Sequence, residues 1–131
     1  AAEVQTFRQE FDALLAESFG ANVLQMNLDS AEPFWFLCRP KGWSSRHRLN
    51  YKPLLHGPHV VDIECYDDLE FYAQLPPPIG AQRVVLPPTS VSFKFLVPEI
   101  DIRAPFAQNT AALSVIVARM AQLKIWFEAL G

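Results

Sequence analysis

The sequence predicts a single α+β domain: an N-terminal helix, an antiparallel meander of four to five strands, and a long C-terminal helix. Three observations predict it. Amphipathic repeats occur near both ends of the chain, alternating apolar residues fill the middle, and turn residues separate the alternating segments. Short connections favour antiparallel pairing. Both helices are expected to cover one face of the sheet, giving a two-layer sandwich over residues 1–131.

The composition is typical of a folded domain. Half of the 131 residues are apolar, 19% are charged, and the formal net charge is −3. This charge is expected to keep the protein soluble and argues against general binding to nucleic acid. No uninterrupted apolar stretch is long enough for a membrane span. The expected location is the cytoplasm, or outside the cell if Ala1 is a processed end.

An amphipathic helix is predicted over residues 3–19 because apolar side chains recur at helical spacing. Charged and amide side chains fall mainly between them, and Gly20 follows as a natural helix end. The apolar stripe consists of Val4, Phe7, Phe11, Leu14, Leu15 and Phe19.

The middle of the chain has the alternation of half-buried strands. The aromatic run 34–38 predicts a first strand, and residues 46–51 predict a second, polar one. Residues 59–66 place apolar side chains on one face and acids on the other. The apolar set is Val61, Ile63 and Cys65, and the acids are Asp62 and Glu64.

A hairpin is predicted next, because residues 70–75 alternate again after the turn residues Asp67 and Asp68. The proline-rich stretch 76–90 predicts an ordered loop with brief edge pairing at 84–86. The expected elements beyond it are a strand at 90–97 with Phe93 and Phe95 on its apolar face, and an extended segment at 99–103.

The longest predicted helix begins near Pro105 or Asn109 and ends at Leu130. Its main stripe is Leu113, Ile116, Val117, Met120, Leu123, Phe127 and Leu130, and Val115, Ile125 and Trp126 lie outside it. A sheet covers only one stripe of a helix. The second apolar side is therefore expected to contact either the proline-rich loop or a second copy of the chain. In the second case Ile125 or Trp126 contributes to a two-fold homodimer interface.

Two cysteines, Cys38 and Cys65, lie in apolar surroundings. Buried free thiols are the expected state, and a disulfide between neighbouring strands is the alternative. A metal pair is not favoured, because the chain has no CxxC spacing.

Charge is segregated along the chain. Five of the eleven basic residues fall within residues 39–52, and an acidic block follows at 62–70. The basic residues are Arg39, Lys41, Arg46, Arg48 and Lys52, with Trp43 and Tyr51 between them. Aromatic residues among basic ones are typical of surfaces that bind nucleic acid. Neighbouring strands of opposite charge also pair, however, and we expect Arg46 or Arg48 to lie near an acid of the second block.

Two pairs of carboxylates suggest an alternative metal site. Asp62 with Glu64, and Glu99 with Asp101, are spaced to share a strand face. Together the two pairs could hold a hard divalent cation. Lys94 would then orient a phosphate, which resembles metal-dependent nucleases of the PD-(D/E)xK type, although no acid stands two residues before any lysine here. The alternative catalytic set is Asp62, Glu64 and Lys94, and the alternative metal ligands are Asp62, Glu64, Glu99, Asp101, His56 and His59.

Motifs for phosphate, dinucleotide or zinc binding are absent, so no cofactor is expected. Histidine is a common base in hydrolysis, but no nucleophile is arranged beside one, and Ser44 and Ser45 are near His47 only along the chain. The aromatic residues are expected to build the core, with an apolar ligand pocket as the alternative.

The leading interpretation is a non-catalytic binding or protein-interaction module that forms a homodimer or binds another protein or a small apolar ligand. The alternative is a divalent-metal-dependent phosphodiester hydrolase. The candidate ligand or partner surface comprises Trp43, Arg46, Arg48, Tyr51, Ile125 and Trp126. The outline, a small acidic chain with a helix at each end of a sheet, resembles type III secretion chaperones. Those proteins usually carry a helix between two halves of the sheet, where this chain has prolines.

Overall fold

The computed structural model describes residues 2–29, 31–54 and 57–131, and the predicted α+β architecture is confirmed there. Along the described chain, one long helix precedes the strands and another follows them, and a short helix lies between the fourth and fifth strands. The elements are α1 (Ala2–Phe19), β1 (Asn22–Asn27), β2 (Trp35–Arg39), β3 (His47–Pro53), β4 (His59–Cys65), α2 (Leu69–Ala73), β5 (Gln82–Leu86), β6 (Ser90–Val97), a 3₁₀ turn (Phe106–Asn109) and α3 (Thr110–Glu128).

The strands form one antiparallel sheet in the order β1-β2-β3-β4-β6-β5. Within the described residues the sheet has six strands rather than the predicted four to five, and β1 is the strand that the sequence did not predict. The register shifts between Val23 and Gln25 of β1, so that Val23 lies opposite Cys38 and Met26 opposite Phe36. This bulge breaks the two-residue alternation by which a strand is recognised.

Helix α1 packs on the sheet through the predicted stripe. Phe11, Leu15 and Phe19 are buried. Gly20 ends the helix with a φ of 58°, a left-handed conformation that glycine adopts without steric cost. The side chains of Val4 and Phe7 lie outside the described part of the chain.

Both long helices cover the same face of the sheet. Phe11 of α1 contacts Phe36 of β2 with 4.7 Å between ring centroids, and Trp126 of α3 contacts Phe93 of β6 at 4.6 Å. The predicted apolar face is confirmed, with Val61, Ile63, Cys65, Phe93 and Phe95 all buried. The alternate residues Asp62, Glu64 and Lys94 lie on the other side, which we call the helix-free face.

The hairpin predicted for residues 70–75 is wrong. Strand β4 pairs with β3 and β6, and the segment after it forms α2. Tyr72 is buried, whereas Phe71 is 47% exposed. A segment of six residues is too short for its spacing to distinguish a strand from a helical turn. The tertiary contact of Tyr72 with Phe93, at 6.5 Å between ring centroids, accompanies the helical conformation.

The extended segment predicted at 99–103 is replaced by a turn. The side chain of Asp101 accepts hydrogen bonds from the backbone and the side chain of Arg103 at 2.9 and 3.2 Å. Asn109 forms two hydrogen bonds with the backbone of Asp101, each 2.9 Å long. Asn109 therefore holds this turn against the start of α3 instead of capping the helix with its side chain.

Helix α3 lies close to the predicted bounds. Its buried residues are Leu113, Ile116, Met120 and Leu123. By length and composition the segment Phe106–Glu128 would also suit a membrane span. In this fold α3 packs against β4 and β6.

Cys38 and Cys65 are free thiols in the core, as expected. Strand β3 separates the two strands that carry them, so they do not form the alternative disulfide between neighbouring strands. Burial raises the pKa of each thiol to about 12, which keeps both protonated at neutral pH.

Candidate functional site

A group of polar side chains occupies the middle of the helix-free face. We call it the central ion cluster, and it consists of Arg48, Asn50, Lys52, Asp62, Glu64 and Tyr66. The register of β3 and β4 brings it together, because alternate residues of paired strands share a face. Arg48 lies directly opposite Glu64, and Asn50 lies opposite Asp62.

The two carboxylates of the cluster share their partners. Lys52 Nζ lies 3.2 Å from Asp62 Oδ2 and 3.4 Å from Glu64 Oε1. Asn50 Nδ2 donates to Asp62 Oδ1 at 2.6 Å and to Glu64 Oε1 at 2.5 Å. Although none of the described helices covers Asp62, its side chain is fully buried, because the neighbouring side chains exclude water from it.

Arg48 and Tyr66 complete the cluster. Arg48 Nη2 donates to the Tyr66 hydroxyl at 2.8 Å and lies 4.0 Å from Glu64 Oε2, while the Tyr66 hydroxyl donates to Glu64. The predicted pairing of the basic segment with the acidic one is confirmed in the β3–β4 ladder, and Arg48 lies near Glu64, an acid of the second block, as expected.

The charges of the cluster compensate one another. Burial raises the pKa of Asp62 in spite of the nearby Lys52 ammonium. Burial by itself would lower the pKa of Lys52, but the charges of Asp62 and Glu64 outweigh it and raise that pKa. Lys52 is therefore an ammonium ion at neutral pH, which makes it a charge partner and not a nucleophile.

The carboxylate pairs predicted for a metal site lie apart. Asp62 and Glu64 belong to the central ion cluster, whereas Glu99 and Asp101 follow the end of β6. Within residues 2–29, 31–54 and 57–131, no group of three or more His, Cys, Asp or Glu side chains could hold a metal ion.

The other residues of the predicted metal-dependent hydrolase are His56, His59 and Lys94, and the two that the structure describes, His59 and Lys94, are not brought together at one site. His59 is buried and stacks on Tyr51 with 5.4 Å between ring centroids, and His56 lies outside the described residues. Lys94 lies on the same face of the sheet, opposite Asp62 on β6, but the ion-pair partner of Asp62 is Lys52. The metal-dependent hydrolase stays a prediction, and the engaged carboxylates weigh against it.

The predicted partner surface is divided by the fold. Arg46 is exposed, whereas Trp43 is half-buried against the end of α3. There Trp43 Nε1 donates to Glu128 at 3.2 Å, and its ring lies 4.8 Å from that of Phe127. The placement of Tyr51 on this surface is wrong. It is fully buried, and its hydroxyl accepts a hydrogen bond from the Ile100 amide at 2.8 Å.

The two residues proposed for a dimer interface have different environments. Trp126 is half-buried and packs against the core, whereas Ile125 is 68% exposed. An apolar groove of about 400 Å³ lies between α1 and the first half of α3. Its apolar lining includes Leu14 of α1, Leu113, Val117 and Ala118 of α3, and Phe106.

Sequence reasoning missed a hydrogen-bonded row of three side chains, which we call the His47 row. Ser44 Oγ lies 3.1 Å from His47 Nδ1, and His47 Nε2 lies 2.9 Å from Asp67 Oδ1. His47 pairs with Cys65 across the β3–β4 ladder, so Asp67, two residues further, comes within reach. The sequence does contain a signal for this row. Ser44 stands three residues before His47 at the start of one strand, and Asp67 follows the end of the strand that pairs with it.

No protein-family model, no curated protein and no solved structure matches this chain.

Proposed function

We propose that this chain is a non-catalytic protein-interaction module that binds a second copy of itself through the outer face of α3. The observation that carries the proposal is an exposed helix face without charge, directed away from the sheet. The outer face of α3 consists of Ala111, Ser114, Val115, Ala118, Gln122 and Ile125.

The charged side chains of α3 are engaged beside this face. Arg119 lies over the ring of Phe95, 4.5 Å from its centroid. Lys124 Nζ pairs with Glu128 Oε1 at 2.8 Å. A second copy approaching this face about a two-fold axis would therefore meet no unpaired charge of α3 that must be desolvated.

The size of the surface supports a weak association. Helix α3 has 19 residues, so it is about 28 Å long. Ile125 and Val115 are 68% and 39% exposed, and the groove beside Leu14 extends the apolar area. A stable interface usually buries about 800 Å² on each partner. One helix face with a groove reaches only part of that area, so we expect dimerisation at micromolar concentrations.

Sedimentation velocity over a range of micromolar concentrations tests the proposal. Wild-type protein is expected to dimerise, and Ile125→Asp to remain monomeric, because the contact would have to desolvate a carboxylate. Leu96→Asp is the matched control, since Leu96 is also 68% exposed but lies on the helix-free face. A monomeric wild type, or an Ile125→Asp variant that dimerises as wild type does, contradicts the proposal.

A further inference from the structure

The His47 row has a consistent order of donors and acceptors. A carboxylate only accepts hydrogen bonds, so the contact with Asp67 Oδ1 places the proton of the neutral imidazole on Nε2. Nδ1 is then left as an acceptor for the Ser44 hydroxyl at 3.1 Å. The Ser44 oxygen in turn accepts from the Arg46 amide at 3.3 Å, which orients the hydroxyl toward the ring.

The base of this row is held in place while the hydroxyl is accessible. The His47 side chain is 12% exposed, and its ring lies 4.7 Å from Phe127 and 6.1 Å from Tyr72 between centroids. Ser44 is exposed. A hydroxyl open to solvent beside an imidazole that is held in place and oriented by a carboxylate is the arrangement that activates a serine.

An apolar groove shares two aromatic rings with the surroundings of His47. It measures about 250 Å³ and is lined by Tyr72 and Phe127, which contact the His47 ring, and by Phe71, Glu128, Leu130 and Gly131. A short hydrocarbon chain bound in this groove would lie against the two rings that contact the imidazole.

We propose that Ser44 is an activated nucleophile that accepts an acyl group from an activated ester with a short apolar acyl chain. A bond forms between Ser44 Oγ and the acyl carbon, and the bond from that carbon to the ester oxygen breaks. The Ser44 proton passes to His47 Nδ1 and then to the departing oxygen, which regenerates the neutral imidazole. Asp67 is a positioning residue that fixes the tautomer. The acylated Ser44 is a modification that the interaction module does not require.

Acylation by p-nitrophenyl butyrate tests this assignment, followed by p-nitrophenolate release, intact mass and peptide mapping. Ser45 is a matched control, because it is the next residue in the same turn and also exposed. General-base assistance is expected to make Ser44 react about 100-fold faster than Ser45. Ser44→Ala should abolish the fast phase, Ser45→Ala should retain it, and His47→Gln should reduce it to the level of Ser45.

The Asp67→Asn variant distinguishes positioning from a purely structural role. It is expected to slow acylation and to change the pH at which the rate is half-maximal, because the charge 2.9 Å from Nε2 is removed. Ser44→Ala removes only a hydroxyl and keeps the assignment testable if His47→Gln fails to fold. Equal acylation of Ser44 and Ser45, or a fast phase retained in Ser44→Ala, overturns it. The oligomeric state of Ile125→Asp reports separately on the interaction proposal.

Discussion

At the residue scale, Lys52 is the cation shared by two carboxylates of the central ion cluster. Lys52→Met is expected to lower the free energy of unfolding by about 2 kcal/mol, because Asp62 would remain buried without its ion-pair partner. The figure lies below that for a fully buried pair, since the Lys52 side chain is 36% exposed and its charge is partly screened by solvent.

Lys94→Met is the control for this prediction. Lys94 lies opposite Asp62 on the same face, and none of the ion pairs within the described ranges involves it. Its replacement is expected to change stability by less than about 0.5 kcal/mol. Urea denaturation of both variants gives the comparison, and equal losses would mean that the ion pairs of Lys52 contribute nothing specific.

The pH dependence of stability reports on Asp62. Burial raises its pKa in the folded protein above 3.8, so the folded state binds this proton more tightly than the unfolded chain. The stabilising contribution is complete below pH 3.8 and is lost as the pH rises through the raised pKa. The unfolding free energy of the wild type, relative to Asp62→Asn, should therefore fall between acidic and neutral pH.

Urea denaturation of wild type and Asp62→Asn at a series of pH values measures this difference. Taking the difference cancels the opposite effect of Asp101 and Glu128, whose pKa values are lowered by hydrogen bonds to Arg103 and Lys124. A difference that grows with pH would show that the ion pair with Lys52, and not burial, dominates the pKa of Asp62.

At the scale of elements, α2 gives a direct test of strand against helix. In the helix Tyr72 packs inward and Phe71 outward. In the predicted strand the alternation of residues 70–75 would instead place Phe71, with Ala73 and Leu75, on the apolar inner face. Tyr72→Ala is therefore expected to cost about 3 kcal/mol of unfolding free energy, and Phe71→Ala less than about 1 kcal/mol. Thermal or urea unfolding checks the order, and a larger loss for Phe71→Ala would contradict the helix.

The helices and strands that could be predicted are those in which the spacing of apolar side chains within one segment is regular. α1 and α3 were predictable because each places buried side chains at helical spacing over many turns, and β4 and β6 because they alternate strictly. β1 was not predictable, since its bulge removes Val23 and Met26 from the two-residue alternation of a strand. α2 was not predictable, since its five residues are too few to distinguish the two-residue period of a strand from the 3.6-residue period of a helix.

At the scale of the whole molecule, the distribution of charge predicts weak interaction with nucleic acid. Arg48 and Lys52 are held in the central ion cluster. Arg39 donates to the backbone carbonyls of His47 and Ser45 at 3.3 and 3.4 Å. We expect no shift of DNA or RNA in a mobility assay near 0.15 M salt. Tight binding that weakens with salt would indicate instead that the basic segment forms a binding surface.

Taken by itself, the sequence determined the fold class, the two long helices, the faces of β4 and β6 and the aromatic core. These features depend on the spacing of apolar side chains along one segment, which is local information. Tertiary structure alone decided that β6 pairs with β4, that Tyr51 is buried, and that Lys52 meets two carboxylates. It also decided that Ser44, His47 and Asp67 form a row. Each of these contacts depends on which segments pair and in what register, and periodicity within one segment leaves that register open.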